Sequence, residues 1–258
     1  ETVSGCADLT IVQAEWEKEQ LAAQGAPIDK MRVLAHGVDT GIFHPGPGDR
    51  ARAKLPDGRM LLSVGSNTDR KNVPGSMLLL KKYLDAGGDP STFLYLHTST
   101  QGWYFLDCFV NALGFAGKKK VFVLGSDEGN PVTLFGQDEE DLANIYRTAD
   151  AFLQPTFAEG FGVTILEALA SGLPAVMTDT PILRELYSEF PGALFMPSRQ
   201  EIASTWGFRW FPDTDVGATQ VRDALEHGKY AHVDVPRKFL WSQIVSDLEG
   251  MLESLVPK

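Results

Sequence analysis

Seven apolar runs of strand length recur along the chain, and they are continuous rather than alternating: ADLTIV from Ala7, MRVLA from Met31, MLLSV from Met60, TFLYLH from Thr92, VFVL from Val121, AFLQ from Ala151 and AVMT from Ala175. A strand with one wetted face alternates apolar and polar side chains, whereas a continuous run needs cover on both faces. Helical periods supply that cover. In DEEDLANIYRTAD the apolar positions Leu142, Ile145, Tyr146 and Ala149 follow i, i+3, i+4, i+7 behind an acidic start at Asp138 to Asp141. NVPGSMLLLKKYLDAGG puts Pro74 in a first turn, aligns Met77, Leu80 and Leu84, and stops at Gly87–Gly88. Strands alternating with helices predict an α/β fold with a parallel, Rossmann-like sheet and helices on both faces.

Composition removes several function classes. The 258 residues are 43% hydrophobic and 10% aromatic, which excludes low-complexity disorder. No apolar run reaches the 18 or so residues of a membrane helix, so a soluble protein without a membrane span is expected. A formal charge of −11 argues against a general nucleic-acid or anionic-membrane binder, so a phosphate ligand would rest on a few placed cations and backbone N–H groups. Two cysteines, Cys6 and Cys108, are too few for a disulfide framework or a cysteine zinc site. A cytoplasmic setting is expected, with peripheral membrane association as the alternative. The start at Glu1 rather than Met suggests a processed or truncated chain.

The chemistry concentrates in QPTFAEGFGVTILEALASGLPAVMTDTPILREL, from Gln154 to Leu186. A strand ends at Pro155, the loop TFAEGFG follows, and the helix VTILEALAS stops at Gly172 with Pro174 behind it. Gly160 and Gly162 let a phosphate approach the backbone N–H groups of Phe161 to Thr164 at a helix N-terminus. Glu159 lies in the loop and Glu167 on the second helical turn. A carboxylate accepts two hydrogen bonds from vicinal hydroxyls, so Glu167 suits a ribose and Glu159 a second sugar. Each carboxylate would repel a diphosphate, so the arrangement works only if cations and the helix dipole carry the phosphates. Arg70 and Lys71, in GSNTDRKNVPG after another strand, are the cations at hand. The competing readings are solvated helix-face charges for Glu159 and Glu167, and a solvated turn capped by Asn72 for Arg70 and Lys71.

At these residues the sequence resembles the C-terminal half of the family 4 glycosyltransferases, retaining enzymes of the GT-B type within group 1. EGFGVTILEALASGLPAV is similar to the family's paired-glutamate signature, and VGSNTDRKN to the first loop of its C-terminal domain. AHGVDTGIFHP resembles the interdomain linker, and ADLTIVQAEWEKEQLAAQG the last strand and helix of the N-terminal domain. The resemblance implies a remnant of that domain and the linker over residues 1–35, a donor-binding domain over 36–236 and a C-terminal helix over 237–258. It implies transfer of a hexose from a nucleoside-diphosphate sugar to a glycan, lipid or protein acceptor, with no metal or other cofactor. Glu159, Lys71 and Arg70 would act at the reacting centre. Glu167, Gly160, Phe161, Gly162, Val163, Thr164, Gly65 and Ser66 would bind the donor, with Phe135 and Gly136 near its base. Many members carry Arg where this chain has Ser66. Most of the acceptor-binding N-terminal lobe would have to come from elsewhere, so donor binding with little transfer is expected of this chain alone. The alternatives are a non-catalytic nucleotide-sugar-binding or assembly module, and a GT-B-like epimerase or phosphorylase.

Other residues invite plainer readings. His36 is as easily a linker residue as a ligand contact, and His97, at a strand end, is a packed or capping histidine before it is a cleft residue. Glu185 is a helix-start charge. Asp213-Thr-Asp215 resembles a metal-binding DxD but sits in an aperiodic stretch, Gly192 to Pro236, that reads as a long connection with short helices. The Trp103–Tyr104–Phe105 and Trp206–Phe208–Trp210–Phe211 clusters read as core or interface, with exposure expected on any face a missing lobe would cover. Cys108 reads as a buried small hydrophobe. The last helix is expected from Phe239 to Leu255, with Leu240, Ile244, Leu248, Met251, Leu252 and Leu255 on one stripe.

Overall fold

The computed structural model describes residues 7–51, 55–123, 138–202 and 207–255. Its centre is a six-stranded, all-parallel sheet built from β3 (Met60–Val64), β4 (Phe93–His97), β5 (Val121–Val123), β6 (Ala151–Gln154), β7 (Ala175–Thr178) and β8 (Ala193–Met196), in the order β5-β4-β3-β6-β7-β8. Relabelled by chain order within the sheet, that is the doubly wound 3-2-1-4-5-6 arrangement, which reverses direction between β3 and β6. Two apolar clusters cover the two faces. Met60, Leu62, Phe93 and Phe152 point to one, and Leu61, Leu94, Ala151 and Leu153 to the other. Alternate residues of each strand are therefore buried on opposite sides, which is why the runs in the sequence are mostly apolar and do not alternate.

Helices α2 (Val73–Asp85) and α4 (Glu139–Thr148) form where the periodicity predicts them. Asn72 starts α2 by accepting a hydrogen bond from Gly75 N–H, and Asp138 starts α4 by accepting one from Asp141 N–H. Helix α5 (Val163–Ala170) follows β6, and α6 (Pro181–Tyr187) follows β7 with Thr180 as its cap.

The N-terminal unit stands apart from this sheet. β1 (Thr10–Val12) and β2 (Met31–Val33) pair in parallel with each other in a two-stranded sheet of their own. The helix between them, α1 (Glu15–Ala23), is fastened to the larger body by Glu185 of α6, whose carboxylate accepts the N–H groups of Glu15 at 2.7 Å and Trp16 at 2.9 Å. Glu185 is thus a helix-terminus charge, though it serves α1 rather than its own helix.

The stretch from Gly192 to Pro236 corrects the sequence reading. It contains β8, an antiparallel hairpin of β9 (Ser198–Ile202) and β10 (Phe208–Pro212), and the 14-residue helix α7 (Thr214–His227). α7 buries Gly217, Ala218, Val221, Ala224 and Leu225, a stripe of mostly small side chains. Asp213 caps it by accepting from the N–H groups of Asp215 and Val216, and Asp215 pairs with Lys82 at 2.7 Å.

One further expectation fails, and the last helix forms where it is expected. Cys108 is exposed, because α3 (Leu106–Ala112) turns Leu106, Phe109 and Val110 inward and carries Cys108 outward with Asp107. The last helix, α8 (Trp241–Glu253), buries only Ile244 of its apolar stripe, and Leu252 and Leu255 are exposed. Of the aromatic clusters, Trp103, Phe105 and Phe208 are exposed, whereas Tyr104, Trp210 and Phe211 are half-buried; Trp206 lies outside the described residues.

Candidate functional site

In open parallel sheets ligands sit beyond the carboxyl ends of the strands where the order reverses. Here the two loops flanking that point are Gly65–Asn72, after β3, and Pro155–Gly162, after β6. They are tied together by backbone and side chain alike. The Arg70 carbonyl accepts Phe157 N–H at 2.8 Å and Thr156 Oγ1 at 2.7 Å, and Asn72 Nδ2 donates to the Pro155 carbonyl at 2.8 Å. Asn72 does this from a left-handed conformation, φ 48°, which asparagine tolerates better than most residues. It is both the helix cap expected of it and a clamp between the loops.

That clamp brings charges together. Lys71 Nζ stands 2.5 Å from Glu159 Oε2, and Arg70 reaches Glu159 Oε1 at 3.1 Å. The Glu159 side chain is only 7% exposed and that of Lys71 11%, whereas Arg70 is 49% exposed. The aliphatic part of Lys71 passes over Gly65, where an added Cβ would meet Lys71 Cδ at 3.6 Å. Lys71, Gly65 and Gln154 also line a small crevice with Ser63 and Thr98. Ser66, beside Gly65, is exposed in the same loop.

Helix α5 points its N-terminus at this loop pair. Gly162 occupies the cap position with φ 82°, and a Cβ there would meet Ile165 Cδ1 at 2.8 Å and Glu159 Cγ at 3.3 Å. Only glycine fits both demands. Gly160 faces open space, and Phe161 is buried against Tyr187, Phe239 and His36. Among the described residues nothing accepts a hydrogen bond from the N–H groups of Val163 or Thr164, two of the four donors a helix leaves without an intrahelical partner at its start.

Glu167 lies one turn further along. Its Oε2 accepts from the Tyr146 hydroxyl at 2.9 Å, and burial pushes its pKa up to about 7, against a smaller lowering effect of that hydrogen bond. The two carboxylates share a neighbour: the buried Tyr187 hydroxyl has the carbonyls of Phe161 at 2.8 Å and Gly162 at 3.1 Å as acceptors in reach, and burial together with the fields of Glu159 and Glu167 raises its pKa well above the ordinary value.

The structure therefore brings together Arg70, Lys71, Glu159, Gly162, Val163, Thr164 and Glu167. Phe135 and Gly136 lie outside the described residues. His36 packs between Phe161 and Trp241, with ring centroids 5.8 and 5.2 Å away. His97 is buried, its Nδ1 has no partner, and burial lowers its pKa to about 4, so it is a packed neutral imidazole. Sequence reasoning missed Tyr146 and Tyr187 as partners of the carboxylates. Tyr146 was visible only as one position of an apolar stripe, with no mark of what its hydroxyl meets.

Asp213 and Asp215 serve helix α7, and no group of three or more metal-ligating side chains occurs among the described residues. No helix among them is long and apolar enough to cross a membrane.

Comparison with known proteins gives these features a context. Residues 119–211 match the family model described as glycosyl transferases group 1. A D-inositol 3-phosphate glycosyltransferase from Acidothermus cellulolyticus is 26% identical over 241 residues, 90% of this chain and 52% of the relative. The chain spans about half the length, or less, of the first curated relatives it matches. Among solved structures, sucrose-phosphate synthase from Thermosynechococcus elongatus superposes with a TM-score of 0.66 at 19% identity, covering 96% of this chain and 58% of that one. The Anabaena protein HepE in complex with UDP and glucose gives 0.65 at 16% identity, covering 96% and 64%. The architecture is that of the Rossmann-like domain expected of a GT-B fold. The matched segment, the relatives and the shared fold agree: residues 119–211 match the group 1 glycosyl transferase model, and the chain is similar to part of known glycosyltransferases over most of its length.

Proposed function

We propose that these residues form the donor-binding lobe of a retaining glycosyltransferase that takes a hexose from a nucleoside-diphosphate sugar. The observation that carries this reading is the convergence of Lys71, Arg70 and Glu159 at the reversal point of the sheet, beside the open N-terminus of α5. Lys71, Arg70 and the N–H groups of Val163 and Thr164 hold the diphosphate, Glu167 takes the ribose hydroxyls, and Glu159 takes the hydroxyls of the transferred sugar. Gly160, Gly65 and Ser66 leave the backbone open to the ligand. In the reaction the bond between the anomeric carbon and the diphosphate oxygen breaks and the electron pair leaves with the diphosphate. Two cations and a helix N-terminus aimed at that oxygen stabilise the charge as it develops. This reading assigns the task to protein groups rather than to a divalent cation.

Two comparisons support the donor class. The relatives named above are glycosyltransferases, and HepE, of the same fold, was crystallised with UDP and glucose. The acceptor side requires a second lobe facing the switch point, so the proposal expects donor binding without efficient transfer by this chain alone. Calorimetric titration with UDP, ADP and GDP and their hexose conjugates tests it. Binding of one nucleotide series, with slow donor hydrolysis or with transfer once a complementary lobe is added, supports the reading. Binding with neither favours a non-catalytic module, and no binding overturns both.

A further inference from the structure

Tyr146 and Glu167 belong to different helices, α4 before strand β6 and α5 after it, yet they meet at 2.9 Å. The tyrosine is fully buried, and its ring is held independently of its hydroxyl by Phe43 and Phe152, with centroids 5.8 and 5.9 Å away. The hydroxyl has one proton and two acceptors in reach: Glu167 Oε2, and the Thr164 carbonyl at 3.3 Å. Glu167 Oε1 takes no hydrogen bond from the described residues, and Glu167 is only partly buried.

We propose that Tyr146 is a positioning residue of the donor site: its hydroxyl pins one oxygen of Glu167 and leaves the other free to accept the vicinal hydroxyls of the ligand. The inference rests on the reading of Glu167 as the ribose-binding carboxylate. When Glu167 is ionised, Tyr146 donates to it. When Glu167 is protonated, the carboxylic acid donates to the tyrosine oxygen and the tyrosine proton turns to the Thr164 carbonyl, in the first turn of α5. The same hydroxyl thus joins the state of the carboxylate to the helix end proposed to hold phosphate.

The groups facing Glu167 decide the pH dependence. Tyr146 and Glu139 face it from α4, and Tyr187, itself in the field of Glu159, from α6. Burial and Glu139 favour the neutral carboxyl and Tyr146 favours the charged one, leaving a midpoint of about 7. Loss of the tyrosine hydroxyl moves that midpoint up.

The test is affinity for UDP, ADP and GDP from about pH 5.5 to about pH 9 for the full chain, Tyr146→Phe and Glu167→Gln. The wild type is expected to gain affinity as pH rises through the midpoint, and E167Q to lose that dependence. Y146F should show the same rise displaced upward by about one pH unit, so that it binds about fivefold more weakly at about pH 7, approaches about tenfold below it, and recovers at the alkaline end. A Y146F curve superimposed on the wild type, or a loss equal at every pH, overturns the inference while leaving the donor reading in place. Failure of the wild type to bind any of the three, or E167Q binding as the wild type does, overturns the donor reading and the inference with it. Should Y146F not fold, the Tyr146 Cζ resonance of the wild type decides: it should titrate with Glu167 and cease to do so in E167Q, and a pH-invariant resonance overturns the inference.

Discussion

Lys71 Nζ stands 2.5 Å from Glu159 Oε2, and the two residues come from loops that leave adjacent strands, β3 and β6, where the sheet reverses its order. Arg70 shares the same carboxylate. Without ligand the two cations proposed for the diphosphate are therefore held by the carboxylate proposed for the sugar. On that proposal a diphosphate entering the site would compete with Glu159 for them.

This competition has a mutational signature. Lys71→Ala should weaken nucleoside diphosphate binding about ten- to hundredfold, the worth of one charge-assisted hydrogen bond of roughly 1.5–3 kcal/mol. Glu159→Ala should leave affinity for the bare diphosphate unchanged or raise it a fewfold, because both cations are released, and should weaken the nucleotide-sugar about tenfold. Calorimetry on the two ligands separates these effects. Equal losses for both ligands in E159A would refute the division of roles.

Glu167 and His97 give the fold opposite responses to pH. The Glu167 carboxyl sits at about 7 in the native protein against an ordinary 4.5. Below 4.5 it is protonated in both states. Between there and 7 the native state keeps a proton the unfolded chain has released, so stability falls as pH rises, by up to about 3 kcal/mol, and the cost is constant above 7. His97 behaves inversely. Its native pKa is about 4 against 6.5, so its contribution is intact above 6.5 and is lost as pH falls through that window. Urea denaturation at several pH values is the check. The stability gain of Glu167→Gln over wild type should grow from acid to pH 8, and that of His97→Gln should grow from neutral toward pH 4. A pH-independent difference in either contradicts the assignment.

Much of this was legible in the sequence, for a physical reason. Strands buried on both faces must be apolar throughout, so MLLSV, TFLYLH and AFLQ announce themselves, and Gly162 marks a backbone position no other residue can take. α7 stayed hidden because its buried stripe is built of Gly217, Ala218 and Ala224, whose small side chains barely register as a hydrophobic period. The β9–β10 hairpin stayed hidden for a related reason: only one side of it packs, and Ile202 and Phe208 face solvent. Pairings between elements were equally out of reach. Nothing in the local pattern says that Tyr146 meets Glu167, 21 residues away, or that Glu185 caps a helix 170 residues upstream.

Glu185 yields a prediction of its own. It satisfies the N–H groups of Glu15 and Trp16 from outside their helix, and removing it strands both donors. Glu185→Ala should cost about 1 kcal/mol locally, seen as amide exchange about fivefold faster across residues 15–23, with nucleotide affinity unchanged. Unaltered exchange would show that α1 is held by packing alone.

Asp213 is expected to behave as a cap and nothing more. Asp213→Ala should lower stability by about 1 kcal/mol, and nucleotide binding should be the same with magnesium or with a chelator, in wild type and variant alike. Affinity that requires both Asp213 and a divalent cation would turn the motif back into a metal site.

The central claim is that a diphosphate rests between Lys71 and the N-terminus of α5. Crystals of the chain soaked in turn with UDP, ADP and GDP test it most directly. The account predicts phosphate oxygens within hydrogen-bonding distance of Lys71 Nζ and of the N–H groups of Val163 and Thr164, with the ribose hydroxyls on Glu167. A nucleotide bound elsewhere on the molecule, with Lys71 still closed on Glu159, would contradict it.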